Sequence, residues 1–192
     1  MKKLIWTVVR TAYSILYNVE VKGLENIPKK GRVIIAANHL SNNDPPVILS
    51  HIAKVRSDFG VLAKKELFEN PVFACILEKL GAIKTDRSNI NISSIKKAIS
   101  ILNRDGCLMI FPEGTRKREE NQLPRSGVLY LLKKTNSDVL PAKISYMKNG
   151  SRLGKIIIVF GSIISATDYD LDDEKNKHDF PKYLMKVIYS LK

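Results

Sequence analysis

Val33-Ile-Ile-Ala-Ala-Asn-His-Leu-Ser-Asn-Asn-Asp-Pro-Pro46 sets an apolar run of strand length directly before a polar loop, and the loop runs into an Asp-Pro-Pro step. Val33 to Ala37 reads as a buried strand, and Asp44 followed by Pro45 reads as an N-cap with proline at the first helical position. His39 therefore closes a strand and Asp44 opens a helix. In an open α/β sheet such a junction lies outside the carboxyl ends of the strands, where ligands bind. The loop is short enough for Asp44 to reach one ring nitrogen of His39 and leave the other free, which is the geometry of an oriented general base. Taken alone, a cap and a polar strand end are the commoner explanation of such a pair. The rest of the chain tips the balance.

Outward from this unit, strand and helix alternate. Val19 to Lys22 alternates apolar and polar and ends at Gly23, so it predicts a strand. A helix is expected from Pro45 to about Val55, a buried strand over Phe59 to Ala63, a helix over Pro71 to Leu80 stopped by Gly81, and a short strand over Gly81 to Arg87. Ile92, Ile95, Ile99 and Leu102 recur at helical spacing, and Cys107 to Phe111 is again a strand-length apolar run. Gly127 to Lys134 predicts a helix and Val139 to Ile144 a strand, whose Pro141 places it at an edge, a strand start or a bulge. Ile156 to Phe160 is a further buried strand, the acidic segment after Thr167 an exposed connection, and Leu184, Val187, Ile188 and Leu191 give a terminal helix one apolar face. The sum is an α/β fold: one domain, a largely parallel mixed sheet flanked by helices on both faces, with an N-terminal amphipathic helix.

Composition narrows the partners. The formal net charge is +13 over 192 residues, and Asp168 to Glu174 holds five of the 19 acids, so the remainder is more basic still. Such a surplus favours an anionic partner: phospholipid headgroups, nucleic acid or a phosphorylated substrate. Nucleic acid fits poorly, because the few aromatics fall in core runs or the N-terminal helix and do not interleave with basic residues. Cys75 and Cys107 sit in apolar surroundings without metal-ligand or redox spacing, so buried reduced thiols and no metal are expected.

Leu4 to Tyr17 is too short for a spanning helix and is interrupted by Arg10, which also fits a signal peptide badly. With Lys2, Lys3 and Arg10 beside Trp6, Tyr13 and Tyr17, residues 1–18 suit a helix lying in the membrane interface, with its aromatics at headgroup depth. An ordinary helix packed on the domain fits the segment about as well. Residues 19–192 form the remaining unit.

The strand Cys107 to Phe111 ends in Phe111-Pro-Glu-Gly-Thr-Arg116. His39-x-x-x-x-Asp44 with this hexapeptide about seventy residues later resembles the glycerolipid acyltransferases, in particular the 1-acylglycerol-3-phosphate acyltransferases. Gly81 to Arg87 and Val139-Leu-Pro141 resemble two further motifs of that family, in the family's order. The resemblance implies acyl transfer from a thioester to the free sn-2 hydroxyl of lysophosphatidate, giving phosphatidic acid, with His39 as base and Asp44 fixing its tautomer. Arg87 and Arg116, with Lys64 as a further charge, would bind the acceptor phosphate. Gly114 would let the backbone approach the ligand, and Thr115 offers a hydroxyl and an amide. Glu113 would hold Arg116 or accept from a glycerol hydroxyl. No cofactor is implied beyond the co-substrate, acyl-CoA or an acyl carrier protein. The implied location is the cytoplasmic face of the membrane, peripheral or monotopic.

Without a Gly-x-Ser-x-Gly elbow, direct transfer in a ternary complex is simpler than a serine acyl-enzyme. The alternatives at this stage are glycerol 3-phosphate or another lysophospholipid as acceptor, a hydrolase using the same dyad, and a basic membrane- or nucleic-acid-binding module without catalysis. Helix Pro71 to Leu80, with Phe73, Ile76 and Leu77, is a conceivable wall for an acyl chain.

Overall fold

The computed structural model describes residues 2–86, 92–114, 127–148, 153–169 and 173–192. Seven strands form one sheet in the order β1-β7-β6-β2-β5-β3-β4, with β1 at Asn18–Lys22, β2 at Val33–Ala37, β3 at Phe59–Lys64, β4 at Ala82–Thr85, β5 at Cys107–Ile110, β6 at Asp138–Met147 and β7 at Lys155–Phe160. The five strands β2 to β6 run parallel. β7 is antiparallel to β6 and parallel to β1, so the sheet is mixed but largely parallel, as the alternating pattern predicts.

Helices α1 (Lys2–Leu16) and α2 (Asp44–Val55) cover one face, and α4 (Ile92–Leu102), α5 (Gly127–Thr135) and α6 (Glu174–Ser190) the other. Strand β2 shows why its sequence is a continuous apolar run. Val33, Ile35 and Ala37 enter the first core and Ile34 and Ala36 the second, so both sides of the pleat are dry.

Of the three places open to Pro141 the structure takes the bulge, on a strand inside the sheet between β7 and β2, and three other expectations are corrected. Proline is tolerated there because pairing on its far side slips by one residue: Ala142 faces Phe160 but Val139 faces Ile164. The extra residue makes a bulge, and Pro141 contributes only its carbonyl, to the Gly161 N–H at 2.8 Å. Cys75 is exposed on α3 (Pro71–Lys79), a helix without a single buried residue, whereas Cys107 is buried. In α1 the aromatics do not all face outward. Trp6 is buried against Phe59, and Tyr13 donates to Asn43 Oδ1 at 3.0 Å, while Leu4, Val8 and Ile15 are left exposed. The acidic stretch is in part a helix start, since Asp173 caps α6 by accepting from the Asn176 N–H.

At the amino edge of the strands, Arg56 ties three loops together. Its buried guanidinium is bidentate to Asp58, at 2.8 and 2.7 Å, and donates to the carbonyls of Pro28, Gly31 and Asp105. Arg56→Ala is expected to lower stability by about 3 kcal/mol, because it removes a buried guanidinium that serves three carbonyl acceptors at once. Urea unfolding checks this; a change under about 0.5 kcal/mol, the scale of an ordinary surface substitution, would contradict it.

Candidate active site

Strands β2 and β5 are neighbours in register, with Ala36 opposite Ile110. The chain leaving β2 at His39 and the chain leaving β5 at Phe111 therefore emerge side by side. His39 is 4% exposed, and its Nδ1 lies 2.9 Å from Asp44 Oδ2. Helix α2 begins at Asp44 itself, with Asn43 in the cap position, one residue earlier than the sequence suggests. The Asp44 side chain turns back over the loop instead, and Oδ2 also accepts the N–H groups of Leu40 at 2.6 Å and Ser41 at 2.7 Å.

Asp44 Oδ1 accepts from the Tyr146 hydroxyl at 2.6 Å. A carboxylate with no exposure survives burial only when its lone pairs are taken up in this way. Burial, and then the hydrogen bond to Asp44, push the Tyr146 phenol well above its ordinary range, so it stays a donor.

In the neutral tautomer whose Nδ1–H donates to Asp44, Nε2 of His39 is the acceptor nitrogen, and it makes no hydrogen bond to a described residue. The Phe111 ring stacks on the imidazole, with centroids 4.2 Å apart and planes 23° from parallel. Phe111 to Gly114 is a tight turn closed by the Gly114 N–H on the Phe111 carbonyl at 3.0 Å. Pro112 sits second in it, and Gly114 takes a φ of +67° that a side chain would resist. The turn aims Glu113 back at the β2 loop. Its Oε2 accepts the backbone N–H of His39 at 3.1 Å, and its Oε1 accepts from the Tyr189 hydroxyl of α6. Glu113 thus fixes the peptide that carries His39, a contact not foreseen from the sequence.

His39 and Gly114 also line a cavity of about 490 Å³ on the α4–α5 face, walled by Leu62, Ile95, Ala98, Ile110, Val128 and Leu131. Helix α3, a conceivable acyl wall, takes no part in it, and its Phe73 and Ile76 are exposed. Lys64 ends β3, separated from β2 by β5, and pairs with Glu66 at 3.3 Å. Arg87, Thr115 and Arg116 lie outside the described residues. Among the described residues no group of three or more His, Cys, Asp or Glu is placed to hold a metal ion.

Three partners escape a reading of the sequence. Asn38 is buried, and its amide donates to the Ile144 carbonyl at 2.9 Å and accepts the Ile144 N–H at 2.8 Å, extending the β2–β6 ladder up to His39. Tyr146 and Tyr189 are the others. The only available signal was that Asn38 adjoins the histidine.

A family model described as Acyltransferase matches residues 18–145. A 1-acyl-sn-glycerol-3-phosphate acyltransferase of Bacillus subtilis is 30% identical over 88% of this chain and 85% of its own length. One from Borreliella burgdorferi is 31% identical over 84% of this chain, and the aligned region spans only 64% of that relative. Among solved structures, the crystal structure of the 1-acyl-sn-glycerophosphate (LPA) acyltransferase of Thermotoga maritima superposes with a TM-score of 0.74 at 25% identity, covering 97% of this chain and 76% of the other. The matched span takes in His39, Asp44 and the Phe111 to Gly114 turn, and the chain belongs to the acyltransferase family.

Proposed function

We propose that the protein moves a fatty acyl group from an acyl thioester to the sn-2 hydroxyl of 1-acyl-glycerol 3-phosphate, giving phosphatidic acid. The observation that carries this reading is a buried His39–Asp44 pair whose open nitrogen belongs to a residue lining an apolar cavity. His39 Nε2 takes the hydroxyl proton as that oxygen attacks the thioester carbonyl, and Asp44 steadies the resulting imidazolium. Collapse of the tetrahedral intermediate breaks the carbon–sulfur bond, and the thiolate recovers the proton from His39. Ester and thiol leave, and the imidazole is neutral again.

Arg87 and Arg116 are assigned to the acceptor phosphate, with Lys64 as a further charge and Thr115 as a hydroxyl and amide donor. The donor is acyl-CoA or an acyl carrier protein. Radiolabelled palmitoyl thioester supplied with lysophosphatidate, glycerol 3-phosphate or lysophosphatidylcholine tests the reading. Phosphatidic acid formation should dominate, and preferred acylation of another acceptor would reassign the substrate.

The cavity is the proposed seat of the acyl chain. Ala98 is almost fully buried on its wall, so Ala98→Phe fills space that the far methylenes need. Excluding two methylenes at about 0.8 kcal/mol each predicts at least a tenfold lower kcat/KM for palmitoyl donors, with shorter donors retained. Unchanged chain preference would place the acyl chain elsewhere.

No helix among the described residues is long and apolar enough to cross a membrane. Contact with the bilayer is assigned to the outer side of α1, where Leu4, Val8 and Ile15 are 61–67% exposed, helped by the basic surplus and by Val72, Phe73 and Ile76 on α3. A peripheral or monotopic place on the cytoplasmic face suits the exposed free thiol of Cys75. The double variant Val8→Glu/Ile15→Glu should weaken partitioning onto anionic vesicles about tenfold or more, with the fold intact by circular dichroism. Undiminished partitioning would remove α1 from the interface.

A further inference from the structure

The family-matched span ends at residue 145, yet the oxygen of Asp44 that faces away from the histidine is held from just beyond it. We infer that Tyr146 is a positioning residue of the acyl-transfer site: its hydroxyl locks the Asp44 carboxylate so that Oδ2 alone serves His39. The inference deepens the reading given above and rests on it.

Three observations converge. Asp44 is fully buried, and Oδ1 has the Tyr146 hydroxyl as its hydrogen-bond partner, at 2.6 Å, while Oδ2 carries His39 and two backbone N–H groups. Donors at both ends of the carboxylate fix its rotation about the Cβ–Cγ bond. The tyrosine itself has little freedom. It stands on β6, which is hydrogen-bonded to β2 and clasped at Ile144 by the Asn38 amide, so β6 delivers the phenol and β2 delivers the imidazole from one rigid ladder. Beside them, Tyr13 of α1 holds Asn43, the residue preceding Asp44, at 3.0 Å. The start of α2 is thus pinned from two sides, and Tyr146 is the contact that reaches the carboxylate.

Without the hydroxyl, Oδ1 is a buried acceptor with no donor among the described residues, and the carboxylate turns to share its remaining partners. Alignment with Nδ1 is then lost while the substrate-contacting surfaces are untouched. Tyr146→Phe keeps the ring and removes the donor. The expected result is a kcat about ten- to a hundredfold lower with KM for both substrates within about twofold. The downfield proton signal of the His39–Asp44 hydrogen bond in NMR should also be displaced. In an Asp44→Ala background the same substitution should cost almost nothing further, because its effect is routed through the carboxylate that this background lacks.

Incorporating 2,3-difluorotyrosine at position 146 keeps ring and hydroxyl but strengthens the donor, so the proton signal moves even where the Phe variant does not fold. A kcat within twofold of wild type in Tyr146→Phe, a loss carried by KM, multiplicative losses in the double variant, or a proton signal indifferent to fluorination would each overturn the inference. Absence of wild-type acyl transfer would remove the functional reading instead, leaving the NMR measurement to judge the contact by itself.

Discussion

His39→Ala is expected to lower kcat by about 10³-fold or more while lysophosphatidate still binds within a few-fold of wild type. A positioned base contributes roughly 10² to 10⁴ in rate, and 10³-fold corresponds to about 4 kcal/mol of transition-state stabilisation. The upper part of that range is expected because the imidazole is set in place on three sides. Asp44 takes Nδ1, Phe111 stacks on the ring, and Glu113 holds the backbone N–H, leaving Nε2 for the acceptor. Binding should survive because the phosphate is assigned to side chains other than the histidine. Steady-state kinetics with an equilibrium binding assay separates the two effects. Activity within a few-fold of wild type would show that His39 is not the base.

Asp44→Asn tests the other half of the pair, and it separates catalysis from a purely structural hold on the loop. An amide oxygen can accept the Leu40 and Ser41 N–H groups as a carboxylate does, so a residue that only shaped the loop before α2 would tolerate the change. The amide fits the site: its oxygen can accept from Leu40, Ser41 and His39, and its nitrogen can donate to a rotated Tyr146 hydroxyl. What disappears is the negative charge that supports the imidazolium. A loss of about 10³-fold in kcat is expected, with the thermal midpoint shifted by only a few degrees, since exchanging a buried charge for a satisfied amide is close to neutral for stability. Equal activity, or a collapse of stability with proportionate loss of activity, would reduce Asp44 to a structural residue.

The sequence discloses the strand-loop-helix unit because its signals are local. β2 and β5 are short apolar runs bounded by loop residues, and Pro45 and Pro46 mark the start of α2 within the same few residues as His39. That Glu113 and Phe111 should meet His39 follows from adjacency of β2 and β5, which the motif pair suggests and the register supplies. The missed contacts are long-range side-chain bonds. Asn38 reaches 106 residues along the chain to Ile144, Asp44 reaches 102 to Tyr146, and Glu113 reaches 76 to Tyr189. No periodicity announces such partners. Terminal helix α6 is half visible for a different reason: only its part after Pro181 carries the apolar spacing read from the sequence, and the proline inside it disguises the opening turns, although Phe180, Leu184, Met185 and Ile188 form its buried side. Helix α1 packs one side on the first core and leaves Leu4, Val8 and Ile15 exposed on the other, so the segment by itself does not choose between an interfacial helix and one packed on the domain.

The central claim is direct transfer, with the acceptor hydroxyl deprotonated by His39 in the same step that attacks the thioester. Thiol release from an acyl thioester, followed in a single turnover with and without lysophosphatidate, tests it most directly. The account predicts release only when acceptor is present, with label passing straight to phosphatidic acid. A stoichiometric burst of thiol with label left on the protein, or steady release in the absence of acceptor, would contradict it.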